Sequence, residues 1–553
     1  MPLNGGILNI VKKSYMAKQA KPKVVKEKSL EDILFDCRDS LRGRAPMTDK
    51  RDLLLTLVFL KFIDYRFVQQ QENIRQKYAS RGDEGYTAFA LSRPSEYAAD
   101  GVFYLQDEMR WENLKAVPSN DMAVTFDDVI KKLEDIEVGR ASDGSPIRPL
   151  RNALPQQIFT KTNLEPSVMR DVINHIDMID PARFGQTDLI GRVYEYFLQA
   201  FSINADKEEG EFYTPHSIVE LIATLVEPFD GKLYDPCCGS GGMFVQCLKL
   251  LESHGGNTKA VNVYGQESEP ATYRLAKMNL AVRGMSYNLG EKAVSTFTDD
   301  QHKDLKVDYI MANPPFNLKK WRTSEELLDD PRWKGYALPP ESNANYAWIL
   351  HMLSKLQPNK GVAGFLLSNG ALDDQDALEI RRKLIENDKV EAIIVLPREM
   401  FYSTDISVTL WILNQNKAGG EHHGRMLRNR QGEVLFVDLR TWNDNRYNKG
   451  KFVQFSAEQI AEISKIYFDW QTSGVLPYAK AELYYAATKA EMAEKNYSLV
   501  PSRYIEFIDR DTELDYATAL SQSAGVISDL LKRQKENASK LENAFKLLGY
   551  EIE

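Results

Sequence analysis

The segment KLYDPCCGSGGMFVQCLKLLES, residues 232–253, decides the fold. Its first four residues have the composition of a short strand, and FVQCLKLLES has helical spacing. The turn between them is rich in glycine, which lets the backbone reverse tightly and approach a ligand closely. We therefore predict the first strand, loop and helix of an α/β domain of the nucleotide-binding type.

Further apolar runs alternate with helical stretches after this segment. They read VNVYGQE (261–267), VDYIMANPP (307–315), GVAGFLLSNGAL (361–372), VEAIIVLP (390–397) and SVTLWIL (407–413). Such runs predict a mostly parallel, Rossmann-like sheet, and we assign residues 181–445 to it. The run EVLFVDLRT (433–441) is expected to add an edge strand.

The region before the sheet has helical patterning. Residues 29–180 are predicted to form an all-helical domain, in which the run at 53–63 is apolar nearly all round, as in a buried helix. Residues 1–28 include seven lysines and little apolar content, so we expect a disordered basic tail.

The region after the sheet, residues 446–553, is predicted to be helical and to end in a coiled-coil-like helix at 517–549. Its apolar residues recur at steps of four and three, with polar Gln534 at one seam position: Leu520, Ala524, Ile527, Leu531, Ala538, Leu541, Phe545 and Leu548. Two interpretations stay open on spacing alone. The helix packs on its own domain, or it pairs with a helix of another chain.

Composition limits the class of protein. The 553 residues are 43% apolar and 10% aromatic, which indicates several globular domains. No run approaches the roughly 20 apolar residues of a membrane helix, so we expect a cytoplasmic protein. We expect no metal site, because the cysteines lack metal-ligand spacing and are interpreted as reduced thiols: Cys37, Cys237, Cys238 and Cys247. The net charge of −9 is unusual for a protein that grips nucleic acid alone.

The ends of the first two strands predict a nucleoside site. Glu267 ends the second strand, where a carboxylate can accept hydrogen bonds from both ribose hydroxyls. A glycine turn or a strand-end acid is often only structural when it stands alone. Together they specify a nucleoside ligand, and the candidate residues at these two strand ends are Glu267, Asp235, Gly239, Ser240, Gly241 and Gly242.

The decisive motif is the tetrapeptide Asn313, Pro314, Pro315 and Phe316, at the end of the strand VDYIMA. Two prolines remove two backbone donors and fix φ, so the turn is rigid. The Asn313 side-chain oxygen and the Pro314 carbonyl can accept both N–H bonds of a ring amine, which makes its delocalised nitrogen more nucleophilic. Phe316 offers a face on which a base can stack. The alternative is a merely structural turn that ends the strand.

The order of EFYTP (211–215), DPCCGSGG (235–242), GQE (265–267) and NPPF (313–316) resembles that of the DNA amino-methyltransferases. The resemblance extends to the modification subunits of type I restriction-modification systems. It is carried by VFLKFIDYRF (58–67), DLIGRVYEYF (188–197), MFYSTDISVTLWIL (400–413) and SRYIEF (502–507).

The resemblance implies a site-specific DNA adenine-N6 methyltransferase that uses S-adenosyl-L-methionine and acts on an adenine flipped out of double-stranded DNA. It implies that Tyr213 and Thr214 lie near the methionine end of the cofactor, in a segment that closes over it: Glu211, Phe212, Tyr213, Thr214, Pro215 and His216. Ser295 departs from the acid often found for the cofactor's adenine, and Asp405 stands where glycine is common.

No sequence-reading module is visible after Asn414. We therefore expect a specificity subunit to recognise the DNA, with two copies of this chain around it and a restriction subunit as a further partner. The alternatives are an orphan or RNA-directed amino-methyltransferase and a non-catalytic scaffold of the same fold. The intact NPPF and glycine loop argue against the scaffold.

Overall fold

A computed structural model describes residues 28–79, 84–140, 144, 146–184, 189, 192–193, 196–197, 214–401, 406–447, 450–475, 477–508 and 515–547. Several predictions fall outside these residues: the basic tail up to residue 27, the segment Glu211, Phe212 and Tyr213, the departure at Asp405, and the seam residue Leu548.

The N-terminal region is helical, as predicted, with one short hairpin in addition. Its long second helix runs through the middle of the domain, and Leu53 to Leu60 are at most 1% exposed. Helices surround it because this helix is apolar on every side over that stretch. The elements are α1 Leu30–Ser40, α2 Met47–Ala79, α3 Glu84–Leu91, α4 Pro94–Ala98, α5 Trp111–Ala116, α6 Met122–Glu134, β1 Gly139–Arg140, β2 Pro146–Ile147, α7 Ile158–Lys161, α8 Pro166–Asp177 and α9 Pro181–Phe184.

A ten-stranded, mostly parallel sheet follows, which confirms the α/β prediction. Its strands are β3 Gly231–Asp235, β4 Val261–Gly265, β5 Tyr287–Asn288, β6 Tyr309–Ala312, β7 Val362–Ser368, β8 Val390–Val395, β9 Val408–Asn414, β12 Glu433–Asp438, β15 Ala479–Lys480 and β16 Tyr484–Thr488. The order is β15-β16-β12-β8-β9-β7-β6-β3-β4-β5. β9 runs antiparallel to β7 and β8, and β15 and β16 are also antiparallel to their neighbours.

Helices cover both faces of this sheet, and two small hairpins lie outside it. The covering helices are α10 His216–Val226, α11 Gly242–Ser253, α12 Pro270–Ala281, α13 Asn345–Lys355, α14 Leu378–Glu386, α15 Ala457–Thr472 and α16 Lys489–Glu494. A last helix, α17 Tyr516–Leu547, follows at the end of the chain. The hairpins are β10 Gly420–His422 with β11 Arg425–Leu427, and β13 Arg446–Tyr447 with β14 Phe452–Val453.

The expectation of an edge strand at 433–441 is wrong. β12 lies between β8 and β16, and its residues Val434 to Asp438 are buried. A continuous apolar run is typical of a strand that is covered on both faces. On this side, the sheet ends in β16 and β15, which come from residues 479–488. The segment that builds the sheet therefore extends beyond the predicted boundary at residue 445.

The helical domain packs directly on the sheet domain through α12. Leu275 and Met278 of this helix belong to the core of the helical domain. The Arg66 guanidinium donates to the Val282 carbonyl at 2.9 Å, just after α12. The two parts therefore share one apolar core at this helix.

The C-terminal helix α17 is exposed along its length. Leu531 and Leu541 are 54% and 57% exposed, and every described side chain of the helix is exposed. The apolar seam therefore does not pack on the described part of its own chain. Within the described residues, every helix is too short or too polar to span a lipid bilayer.

Gly364 of β7 sets how closely α10 approaches the sheet. A Cβ at this position would lie 2.7 Å from Val226 and 2.8 Å from Ile222, both on α10. The missing side chain thus lets α10 pack tightly beside β6 and β7. Thr214 and Pro215 directly precede this helix, so the same packing places them at the sheet edge.

We predict that Gly364→Val lowers the free energy of unfolding by about 1–3 kcal/mol, because the added atoms overpack the contact with α10. Urea unfolding measures this change. Gly474→Val is the matched control, since a Cβ at Gly474 meets no atom within 4 Å. Equal effects of the two substitutions would contradict this account of the packing.

Candidate active site

Three strand ends meet at one edge of the sheet. β3 lies between β4 and β6 and is parallel to both. The chain passes from β3 to β4 on one side and returns as β6 on the other. This change of direction makes a crevice at the carboxyl ends of the strands, which is where ligands bind in such sheets. Asp235, Glu267 and Asn313 all stand at this edge, as the sequence predicted for parallel strands.

The glycine loop after β3 leaves open space beside its backbone. Gly239 and Gly241 have φ of +54° and +77°, which favour glycine. A Cβ at Gly239 or Gly242 would meet no atom of the described residues within 4 Å. The Asn279 side chain of α12 donates to the Ser240 carbonyl at 2.8 Å and supports the loop from behind. The loop can therefore take a ligand against its backbone.

Glu267 is hydrogen-bonded to this loop. Its Oε2 accepts from the Gly239 backbone N–H at 3.0 Å. Its Oε1 accepts from the backbone N–H groups of Ser268 and Glu269 at 2.7 and 2.8 Å. These bonds fix the carboxylate at the side of the loop.

Asp235 is buried under the loop, with 2% of its surface exposed. Its Oδ1 accepts from the Cys237 backbone N–H at 3.0 Å. Burial raises the pKa of the Asp235 carboxyl to about 7, and the nearby Glu267 charge acts in the same direction. Burial also raises the pKa of the Cys237 and Cys238 thiols, so they stay protonated, as suits packing residues.

Asn313 connects the NPPF turn to the segment before α10. Its Nδ2 donates to Thr214 Oγ1 at 3.0 Å. Its Oδ1 is buried and has no hydrogen-bond partner among the described residues. Its place beside the strand ends, and not the missing partner alone, makes this oxygen a candidate acceptor for a ligand. His216, in contrast, is exposed and faces Glu220 at 3.6 Å.

The rest of the turn is held against the sheet domain. Pro314 is buried, and Pro315 and Phe316 are half-buried. The Phe316 ring meets Phe401 edge to face, with 6.3 Å between centroids. Phe401 lies shortly after β8, and no pattern in the sequence indicated its contact with Phe316.

Two further residues that hold the crevice were missed. Gln266 is fully buried, and its amide donates to the Val294 and Asp299 carbonyls at 3.1 and 2.7 Å, which fixes the segment around Ser295. Arg332 donates to the carbonyls of residues 296 and 297 at 2.9 and 2.8 Å. Gln266 stands within the GQE motif, whereas the loop around Arg332 has no pattern that indicates such a role.

Comparison with known families shows the family of the chain. Residues 185–513, more than half of the chain, match the family described as N-6 DNA methylase. The chain belongs to the N-6 DNA methylase family. This methylase therefore modifies DNA at adenine N6, and membership implies S-adenosylmethionine as the methyl donor. Residues 30–176 match the HsdM N-terminal domain.

Curated relatives agree with this assignment. The methylase subunit of the type I restriction enzyme HindI from Haemophilus influenzae is 40% identical, over 67% of this chain and 81% of its own length. The MjaIX methylase subunit of Methanocaldococcus jannaschii is 31% identical, over 94% of this chain and 91% of its own. The alternatives of an orphan enzyme, an RNA-directed enzyme or a scaffold are not favoured.

Solved structures support the fold. A type I restriction-modification methyltransferase subunit from Streptococcus thermophilus has a TM-score of 0.67 at 21% identity, covering 86% of this methylase and 99% of that chain. A chain from a study of complex assembly and conformational transition in a type I system has a TM-score of 0.58 at 19% identity, covering 96% and 100%.

Proposed function

We propose that this methylase is the modification subunit of a type I restriction-modification complex and that Asn313 holds the target adenine amine. The observation that carries the proposal is the buried Oδ1 of Asn313 at the crevice, which has no hydrogen-bond partner within the described part of the chain. An acceptor in this position suits an amino group, which carries only donors on its nitrogen when its lone pair is delocalised.

The NPPF turn suits a flipped adenine. Oδ1 of Asn313 and the Pro314 carbonyl accept the two N–H bonds, which localises the nitrogen lone pair as the new bond forms. The bond from Asn313 Nδ2 to Thr214 keeps Oδ1 turned toward the target. Phe316 stacks on the base, a contact worth about 1–3 kcal/mol. No strong base is required, because the proton can leave after transfer.

The crevice beside β3 and β4 fits S-adenosylmethionine. When bound, this cofactor supplies an electrophilic methyl group on a sulfonium sulfur. Gly239 and Gly242 leave room where a Cβ would stand, so the loop can lie under the cofactor. Glu267 Oε2 uses one acceptor position on Gly239 and has capacity left for ribose hydroxyls. Thr214, Pro215 and His216 border the other side of the crevice in this proposal.

The direct test co-expresses the chain with the specificity subunit proposed as its partner and then maps methylated adenines. Methylation at one defined DNA sequence supports the proposal. A complex that methylates RNA instead, or no nucleic acid at all, would contradict it.

Asn313→Ala should abolish methylation while S-adenosylmethionine still binds, because the residue contacts the target amine. The loss should raise the barrier by on the order of 3 kcal/mol or more. Single-turnover kinetics measures methyl transfer, and calorimetry measures cofactor binding.

Glu267→Ala should weaken cofactor binding by about tenfold or more, because it removes the carboxylate proposed to hold the ribose. Asn262→Ala, at an exposed position of β4, is the control for both substitutions. Near-normal turnover of Asn313→Ala would contradict the role proposed for Asn313.

Cofactor affinity should rise with pH. A bound cation favours the charged form of Asp235, whose carboxyl has a pKa raised to about 7 in the free protein, so binding should release a proton. We expect roughly tenfold tighter binding of S-adenosylmethionine between pH 6 and pH 8. Calorimetry in buffers of different ionisation enthalpy measures the proton release. Asp235→Asn should abolish the pH dependence, and a wild-type affinity that is flat with pH would disprove the link.

The exposed seam of α17 is proposed to bind the specificity subunit, with two copies of this chain around it and a restriction subunit joining the complex. The helix has 32 residues and exposes its apolar stripe to solvent. A stripe of this length is typically buried against a partner helix. An acidic enzyme that delegates recognition of DNA needs such a contact.

Leu531→Asp with Leu541→Asp should therefore leave a folded chain that binds cofactor yet fails to join the specificity subunit. Both side chains are exposed in the free chain, so the cost appears only in the complex. Co-purification measures assembly. Asn537→Asp with Asn543→Asp, off the seam on the same helix, controls for added charge. Stoichiometric assembly of the leucine variant would place the interface elsewhere.

A further inference from the structure

The NPPF turn lacks the backbone pairing that holds most strand ends. The ladder between β6 and β7 ends at Ala312 and Phe365, although β7 continues to Ser368. Pro314 and Pro315 have no N–H group, so they cannot extend the ladder. Another contact must fix the turn that carries Asn313.

Asn317 supplies this contact immediately after Phe316. Its φ of +54° lies in the left-handed region, which asparagine tolerates better than other residues with a side chain. Its Oδ1 accepts from Ser368 Oγ at 3.1 Å, at the end of β7. The side chain thus replaces the missing ladder with a bond to the same strand.

Asn345 binds Asn317 from the other side. Asn317 N–H donates to Asn345 Oδ1 at 3.0 Å, and Asn345 Nδ2 donates to Asn317 Oδ1 at 2.9 Å. These two bonds close a ring between the residues, which we call the asparagine pair. Asn343 Nδ2 also donates to Asn317 Oδ1, at 3.2 Å, and the Ala344 N–H donates to the Leu318 carbonyl at 3.0 Å.

The partner in this pair is rigidly placed. Asn345 is 1% exposed and begins α13, whose residues Tyr346, Ala347 and Ile349 are buried in the core on one face of the sheet. The turn is therefore fixed to a packed helix and to β7, and its shape does not depend on its own short backbone.

We propose that the asparagine pair, Asn317 and Asn345, positions the NPPF turn for methyl transfer. The inference rests on the proposed function of Asn313. The pair touches neither base nor cofactor in this arrangement. It acts by holding Asn313 and Phe316 at a fixed distance from the end of β7, and misplacement of reacting groups by about 1 Å can cost roughly a hundredfold in rate.

The two residues use their side chains differently. Within the described residues, the side chain of Asn317 only accepts, through Oδ1, whereas that of Asn345 both accepts and donates. A carboxylate accepts but does not donate. Aspartate should therefore serve at position 317. At position 345 it would place an acceptor against Asn317 Oδ1.

The experiment measures kcat, KM for DNA, cofactor affinity and melting temperature in complexes of the full chain with its specificity subunit. Asn317→Gly keeps the backbone conformation and loses the acceptor, so kcat should fall by roughly tenfold to a hundredfold with cofactor affinity unchanged. Asn317→Asp should keep kcat near wild type and raise only KM, because its charge repels DNA. Asn345→Asp should lower kcat as Asn317→Gly does.

Asn359→Gly is the matched control, since Asn359 is an exposed asparagine with φ of +60° before β7. It should leave kcat unchanged. If Asn317→Gly keeps wild-type kcat, or if Asn317→Asp loses as much kcat as Asn317→Gly, the inference is overturned. A wild-type complex that methylates no adenine would instead overturn the proposed function on which it rests.

Discussion

Parallel pairing of β3 with β4 on one side and β6 on the other is the constraint on which the site depends. It brings Asp235, Glu267 and Asn313 to one edge although they are far apart in sequence. Two helices then support these strand ends. α12 supports the glycine loop through Asn279, and α10 brings Thr214 to Asn313. In the proposed function, cofactor and target base therefore occupy adjacent parts of a single crevice.

The NPPF turn is held in place in an unusual way. The two prolines stiffen the turn locally but deprive it of ladder bonds, so its position relative to the sheet has to come from side chains. Asn313 Nδ2 and the asparagine pair supply those bonds. Asn313 Oδ1 and the Pro314 carbonyl are therefore not needed to anchor the turn and stay available as acceptors for a ligand.

The sequence predicted the parallel strands and the motifs at their ends because both depend on local composition and on strand direction. It misassigned β12 as an edge, since the covering strand β16 lies about 50 residues later and no local pattern announces that pairing. It also missed Arg332 and Asn345. Their contacts join segments that are distant along the chain, and single polar residues in loops carry no periodic signal.

The exposed apolar stripe of α17 affects how much of this chain can be produced without its partner. An apolar stripe on a free chain promotes association with any similar surface, including another copy of itself. If a partner covers this stripe, as proposed, chains made in excess of that partner would aggregate or be degraded, while chains made in balance would be protected by assembly. The exposed stripe therefore requires that the subunits be produced in matching amounts, and this requirement does not depend on catalysis.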